Sequence, residues 1–92
     1  TVRASAPEPA LRDGEEAVSA ARRACAVTRY QVPEPMDVLA GAYAEAGRFD
    51  EAVRMGEFAL WFARAAERED LVAGAERRLA LYRQGRAHRR AD

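Results

Sequence analysis

Small and apolar residues recur along this chain three and four positions apart, the spacing that lines one face of an α-helix. Ala17, Val18, Ala21, Ala24, Cys25 and Thr28 make one such stripe. Leu39, Ala40 and Tyr43 belong to a second. Ala52, Gly56, Ala59 and Leu60 form a third, and Leu71, Ala75, Leu79 and Tyr82 a fourth. Strand formers are few and never alternate with polar residues over a useful length. The pattern predicts an all-α domain of about four helices.

Punctuation residues set the expected boundaries. Residues 1–12 hold two X-Pro steps and read as an extended lead-in. Asp13 suits a helix N-cap, with Glu16 three residues later to complete a capping box. Helix one is then expected to reach about Arg29. Pro33 and Pro35 break the chain, and Pro35 suits the first turn of helix two, with Glu34 and Asp37 near its positive end. Helix two continues to Ala46, and Gly47 fits a left-handed cap. Helix three is predicted from Phe49 or Asp50 to about Ala66. A polar joint, Glu67 to Asp70, leads into helix four at about 69–84, with Gly85 as its stop. The helical domain spans 13–85, and residues 86–92 are expected to fray.

Shifting the chain by 35 residues lays Ala17, Val18, Ala21, Ala24, Cys25 and Thr28 onto Ala52, Val53, Gly56, Ala59, Leu60 and Ala63. Helices one and three therefore read as two copies of one element, each with a small-residue stripe that lets a neighbour approach closely.

Residues 33–66 then carry a recognisable motif. Met36, Leu39-Ala40 and Tyr43 precede the turn Gly47-Arg48-Phe49-Asp50-Glu51-Ala52, with Gly56 and Ala59-Leu60 closing the following helix. This stretch resembles the tetratricopeptide repeat, and its similarity, which covers only part of the chain, is to the C-terminal ends of long bacterial proteins of that family. Arg64 stands where the family usually has a proline, so helix three is expected to run on. The resemblance implies antiparallel helix hairpins in a right-handed superhelical array. Helix one corresponds to the second helix of a preceding repeat, and helix four to a divergent cap with one face for the core and one for water.

The resemblance also implies a non-catalytic scaffold that binds a protein or peptide along the face of its first helices. In this chain the corresponding groove positions are Glu34, Asp37, Val38, Gly41, Ala44 and Glu45. Some family members clamp a terminal carboxylate there with basic residues. Acids and small residues stand here instead, which suits a basic or neutral segment better.

Composition narrows the picture further. Fifteen basic and fifteen acidic residues give a formal net charge of zero, which argues against a general nucleic-acid or membrane-surface role. All the basic residues are arginine, which reads as the codon bias of a GC-rich genome. No apolar run approaches the ~20 residues needed to span a bilayer. No signal peptide is visible, and a soluble chain is expected, with the cytoplasm favoured. The first residue is Thr1 rather than Met, which reads as a fragment or a processed product of a longer repeat protein.

Candidate chemistry is sparse. Cys25 lies inside an apolar stripe and reads as a buried structural thiol rather than a nucleophile, which needs a base beside it. His88 falls in the tail, and no Cys/His cluster offers a zinc site. The pairs Glu15-Glu16 and Asp50-Glu51 stand near helix starts, where acids are favoured without acid–base chemistry. Arg83, Arg86, Arg89 and Arg90 form a basic cluster at a helix C-terminus, where cations are likewise favoured. Phe58, Trp61 and Phe62 are expected mainly to pack in the core, with at least one facing outward. The alternative for them is a contact surface for another chain. No enzyme activity and no cofactor is expected. The other readings are an accessory or regulatory domain of a larger enzyme, and a homo-oligomerisation module closed through exposed helix faces.

Overall fold

The computed structural model describes residues 9–86, which form four α-helices and, among the described residues, no strand. They are α1 (Pro9–Val27), α2 (Pro33–Glu45), α3 (Phe49–Ala65) and α4 (Glu69–Arg83). The expectations for residues 1–8 and for the tail with His88, Arg89 and Arg90 lie outside the described residues.

The start of α1 differs from the expected one. Residues 9–12 are helical rather than extended, and Asp13 lies inside the helix, exposed, instead of capping it. Proline presets the backbone for a first helical turn, so Pro9 can open the helix. Gly14 has a packing role instead. A Cβ there would stand 2.7 Å from the Ala46 backbone nitrogen and 2.9 Å from the Glu45 carbonyl carbon. The start of α1 thus rests directly on the backbone at the end of α2, and the two helices run antiparallel. Pro33 takes the first turn of α2, with Pro35 two residues later.

All four helices close on the same motif, and α1 adds a second left-handed residue, Tyr30 (φ 55°). The residue after the C-cap turns left-handed: Arg29 (φ 58°), Gly47 (79°), Glu67 (58°) and Gly85 (72°). The next amide then donates back to the carbonyl five residues earlier, Tyr30 to Cys25, Arg48 to Tyr43, Arg68 to Ala63 and Arg86 to Leu81, at 2.8–2.9 Å. This is the Schellman closure, which satisfies carbonyls that a helix end leaves without partners. Glycine adopts this conformation freely, so Gly47 and Gly85 are unstrained while Arg29 and Glu67 are held there against their preference.

These ends reveal the true register of the internal copy. Arg29 and Glu67 are 38 residues apart, as are Gly47 and Gly85. The buried stripe of α1 is Gly14, Val18, Ala21 and Cys25, and that of α3 is Ala52, Gly56, Ala59 and Ala63, also 38 apart. The 35-residue match is therefore corrected. It aligned Ala17 and Ala24, which are exposed, and it placed Leu60 in a stripe that Ala63 completes.

The core centres on α2, whose Met36, Leu39, Ala40, Ala42, Tyr43 and Ala44 are all buried. Small residues on α1 and α3 admit these larger side chains from both sides. Tyr82 and Leu79 of α4 close the far end over Gly56. The extensive packing is between consecutive helices, α1 on α2, α2 on α3 and α3 on α4. The chain is thus stacked element by element. α2 and α4 lie side by side over α3 and run parallel, since Glu34 meets Arg68 and Gly41 faces Tyr82. No helix among the described residues is long and apolar enough to cross a membrane.

Candidate functional site

Two arginines occupy equivalent places in successive turns. Arg48 and Arg68 each follow the left-handed residue that ends one helix and each caps the next. Arg48 holds Glu51 of α3 through Nε and Nη2, both at 2.8 Å, and reaches Glu15 of α1 through Nη1 at 2.9 Å. Its guanidinium also lies 4.8 Å over the Tyr43 ring. Arg68 grips Asp70 of α4 through Nε (3.1 Å) and Nη2 (2.9 Å), and Glu34 of α2 through Nη1 (2.9 Å). In each case the planar fork takes the acid in the next helix and its free arm takes an acid two helices back. The hydrogen bonds from these guanidiniums hold the Glu51 and Asp70 carboxyls below their ordinary range.

The second clamp closes one end of a cleft between α2 and α4. Pro33, Glu34, Asp37 and Val38 line one wall, and Leu71 and Ala75 the other. Ala59 and Ala63 of α3 form the floor. Because the floor side chains are methyl groups, the parallel helices above leave a slot of about 160 Å³ rather than meeting. Its lining is mostly apolar. A second ion pair, Arg78 with Asp37, bridges the cleft at 2.5 and 3.2 Å, with both side chains about three-quarters covered. Near this bridge lies the hydroxyl of Tyr82, a side chain 2% exposed. No group among the described residues hydrogen-bonds that hydroxyl. Burial, reinforced by the nearby Asp37 charge, pushes its pKa up to about 12.

Of the groove positions expected from the sequence, Glu34, Asp37 and Val38 line this slot. Gly41 sits half-buried beside the Tyr82 hydroxyl, and Glu45 is half-buried at the end of α2. Ala44 is corrected: at 3% exposure it belongs to the core. Helices α1 and α3 flank α2 on two sides and leave it only a narrow free arc. The acids that suggested a basic or neutral segment are each paired, Glu34 with Arg68, which also holds Asp70, and Asp37 with Arg78. Sequence reasoning missed the opposite wall and both bridging arginines. Arg78, a charged residue within the run of α4, was the one available signal.

Of the three aromatic residues Phe58, Trp61 and Phe62 of α3, Phe62 packs against the core, as the main expectation had it, and two face outward where at least one was expected to. Phe58 and Trp61 stand in solvent rather than in the core. Ala52, Gly56, Ala59 and Ala63 already fill the inner face of α3, so the large side chains lie outside it. Cys25 is fully buried, and burial pushes its thiol pKa up, away from the reactive thiolate. Among the described residues no three His, Cys, Asp or Glu side chains gather in a way that could hold a metal ion. No family model matches the chain, and no curated protein or solved structure shows significant similarity to it.

Proposed function

We propose that this chain is a protein-interaction module of the tetratricopeptide type, which takes an uncharged, extended segment of another protein along α2 and α4. The observation that carries the reading is the apolar slot between two parallel helices, floored by Ala59 and Ala63 and closed at one end by the Arg68–Glu34 pair. A slot near 160 Å³ has room for one medium-sized apolar side chain, since cavities of ~150 Å³ accept a benzene-sized group. With its acids already paired, the slot rewards an apolar anchor and offers little to a free charge.

The test is selection of binding peptides from a random library, followed by titration of the best one. The expected result is an apolar residue common to the selected peptides and amide shifts at Val38, Leu71 and Ala75. Val38 is 63% exposed, so Val38→Arg should leave the fold intact and abolish binding. Peptides that bind equally well to this variant would sink the reading.

A second reading, association of two copies, draws on α1. Its outward stripe of Ala17, Ala20, Ala24 and Val27 is exposed, with Val27 at 83%. Sedimentation equilibrium showing a monomer at high concentration would exclude it.

A further inference from the structure

The outer flank of α3 carries a surface that the slot does not use. Phe58 and Trp61 are 56% and 63% exposed, and Phe62 meets Trp61 edge-on with ring centroids 4.9 Å apart. Positions 58, 61 and 62 fall on one side of a helix. With Arg54, one turn earlier, and Glu57, they line a shallow open depression of about 520 Å³. Large aromatic side chains gathered on an exposed face mark a place where something docks.

The surrounding charges say what kind of partner fits. Glu57, the one acid of the depression, is neutralised by Arg83 at 2.9 Å. Arg64, the next cation along α3, is taken by Glu76. Arg54 makes no hydrogen bond or close ion pair among the described residues, and Glu51, the acid its charge acts on, is already gripped by Arg48. The depression therefore offers aromatic area, one guanidinium with no close partner and no unpaired acid. We propose that Phe58, Trp61 and Phe62 with Arg54 form a second docking surface, for an amphipathic helix of another protein whose apolar stripe covers the rings and whose acidic side chain pairs with Arg54. Anchors spaced three and four apart on such a helix match the spacing of the rings, and Arg54 sets its orientation.

Trp61 is the only tryptophan of the chain, so its fluorescence reports on the outer flank of α3, and the Arg54 variants separate this surface from the neighbouring depression toward α4. The probes are three helical peptides of about 16 residues. All carry leucine at helical spacing. One flanks the leucines with two glutamates, one with two lysines, and one scrambles the glutamate version. The glutamate peptide should give a saturable blue shift and bind at least about fivefold tighter than the lysine peptide, because an attraction becomes a repulsion. Arg54 is exposed, and Arg54→Glu should invert that order, while Arg54→Gln should flatten it. Val38→Arg, which blocks the slot, should leave these titrations unchanged, so the two surfaces fail separately. Equal affinity for the glutamate and lysine peptides overturns the proposal, as does the lack of any saturable shift. A blue shift that grows with protein concentration alone assigns the surface to a second copy. A shift produced by phosphatidylcholine–phosphatidylglycerol vesicles and not by peptide assigns it to a membrane, and both results overturn the proposal.

Discussion

Replacing Gly14 by alanine sets two physical effects against each other, and the structure says which wins. In a helix interior, alanine is better than glycine by about 1 kcal/mol, so propensity alone predicts stabilisation. At Gly14 the new methyl carbon would stand 2.7 Å from Ala46 N, 2.8 Å from Ala46 Cα and 2.9 Å from Glu45 C. Ordinary contacts between carbon atoms lie at about 3.5–4.0 Å, so α1 must retreat from α2 by roughly 0.7–1 Å. The obstacle is backbone, which cannot rotate aside, and overpacking of this kind costs about 1–3 kcal/mol. The net expectation is a loss of up to about 2 kcal/mol. The same change at Gly41 is the control. There the methyl meets only the Tyr82 hydroxyl, at 3.6 Å, an ordinary contact. Gly41→Ala should therefore gain about 1 kcal/mol from propensity. Thermal unfolding followed by circular dichroism reads both, at about 4–8 °C per kcal/mol for a chain of this size. Gly14→Ala should melt lower than the parent and Gly41→Ala higher. If both variants melt higher, α1 and α2 do not approach as closely as described.

Glu67→Gly should stabilise the chain by about 0.5–1 kcal/mol in urea titration, because it relieves a left-handed non-glycine cap at φ 58°. Tyr82→Phe should be neutral or stabilising by up to ~1 kcal/mol, since it removes a buried hydroxyl that no described residue bonds. A clear loss of stability would reveal a partner for that oxygen. Glu51 and Asp70 have folded-state pKa values below their unfolded ones, so their stabilising effect is present above the ordinary carboxylate range and is lost as pH falls through the folded values. The melting temperature should thus stay level from about pH 8 to 5 and decline below about pH 4. Arg48→Ala should flatten that decline.

The sequence disclosed the parts of this fold that depend on local chemistry. Gly47 announced a left-handed cap and Gly85 a helix end, and Met36, Leu39, Ala40 and Tyr43 announced the buried face of α2. Where a residue could serve two purposes, the reading failed. Asp13-Gly14 looks like a helix start, but the glycine is there for a close approach that only the packed helices create. Ala44 is small enough for either a groove or a core. The aromatic residues of α3 could be placed only once a wholly small-residue inner stripe was seen to fill its core face. The slot itself depends on the pairs Arg68–Glu34 and Arg78–Asp37, which join residues 34 and 41 positions apart. No periodicity within one helix encodes such a pairing.

Stacking each helix mainly on the one before has a kinetic meaning. Contacts that are short-range along the chain require only small loops to close, and helical chains of this kind fold in microseconds to milliseconds. The same arrangement grades the unfolding. α2 and α3 are each held by two neighbours, while α1 and α4 are each held chiefly by one. Native-state hydrogen exchange should then show amides of α2 and α3 opening only with the whole molecule, and those of α1 and α4 opening sooner, from the outside inward. The slot has one wall on α2 and the other on α4, so the wall at Leu71 and Ala75 should come free while the wall at Val38 still stands. Anything bound there would slow exchange in α4 more than anywhere else.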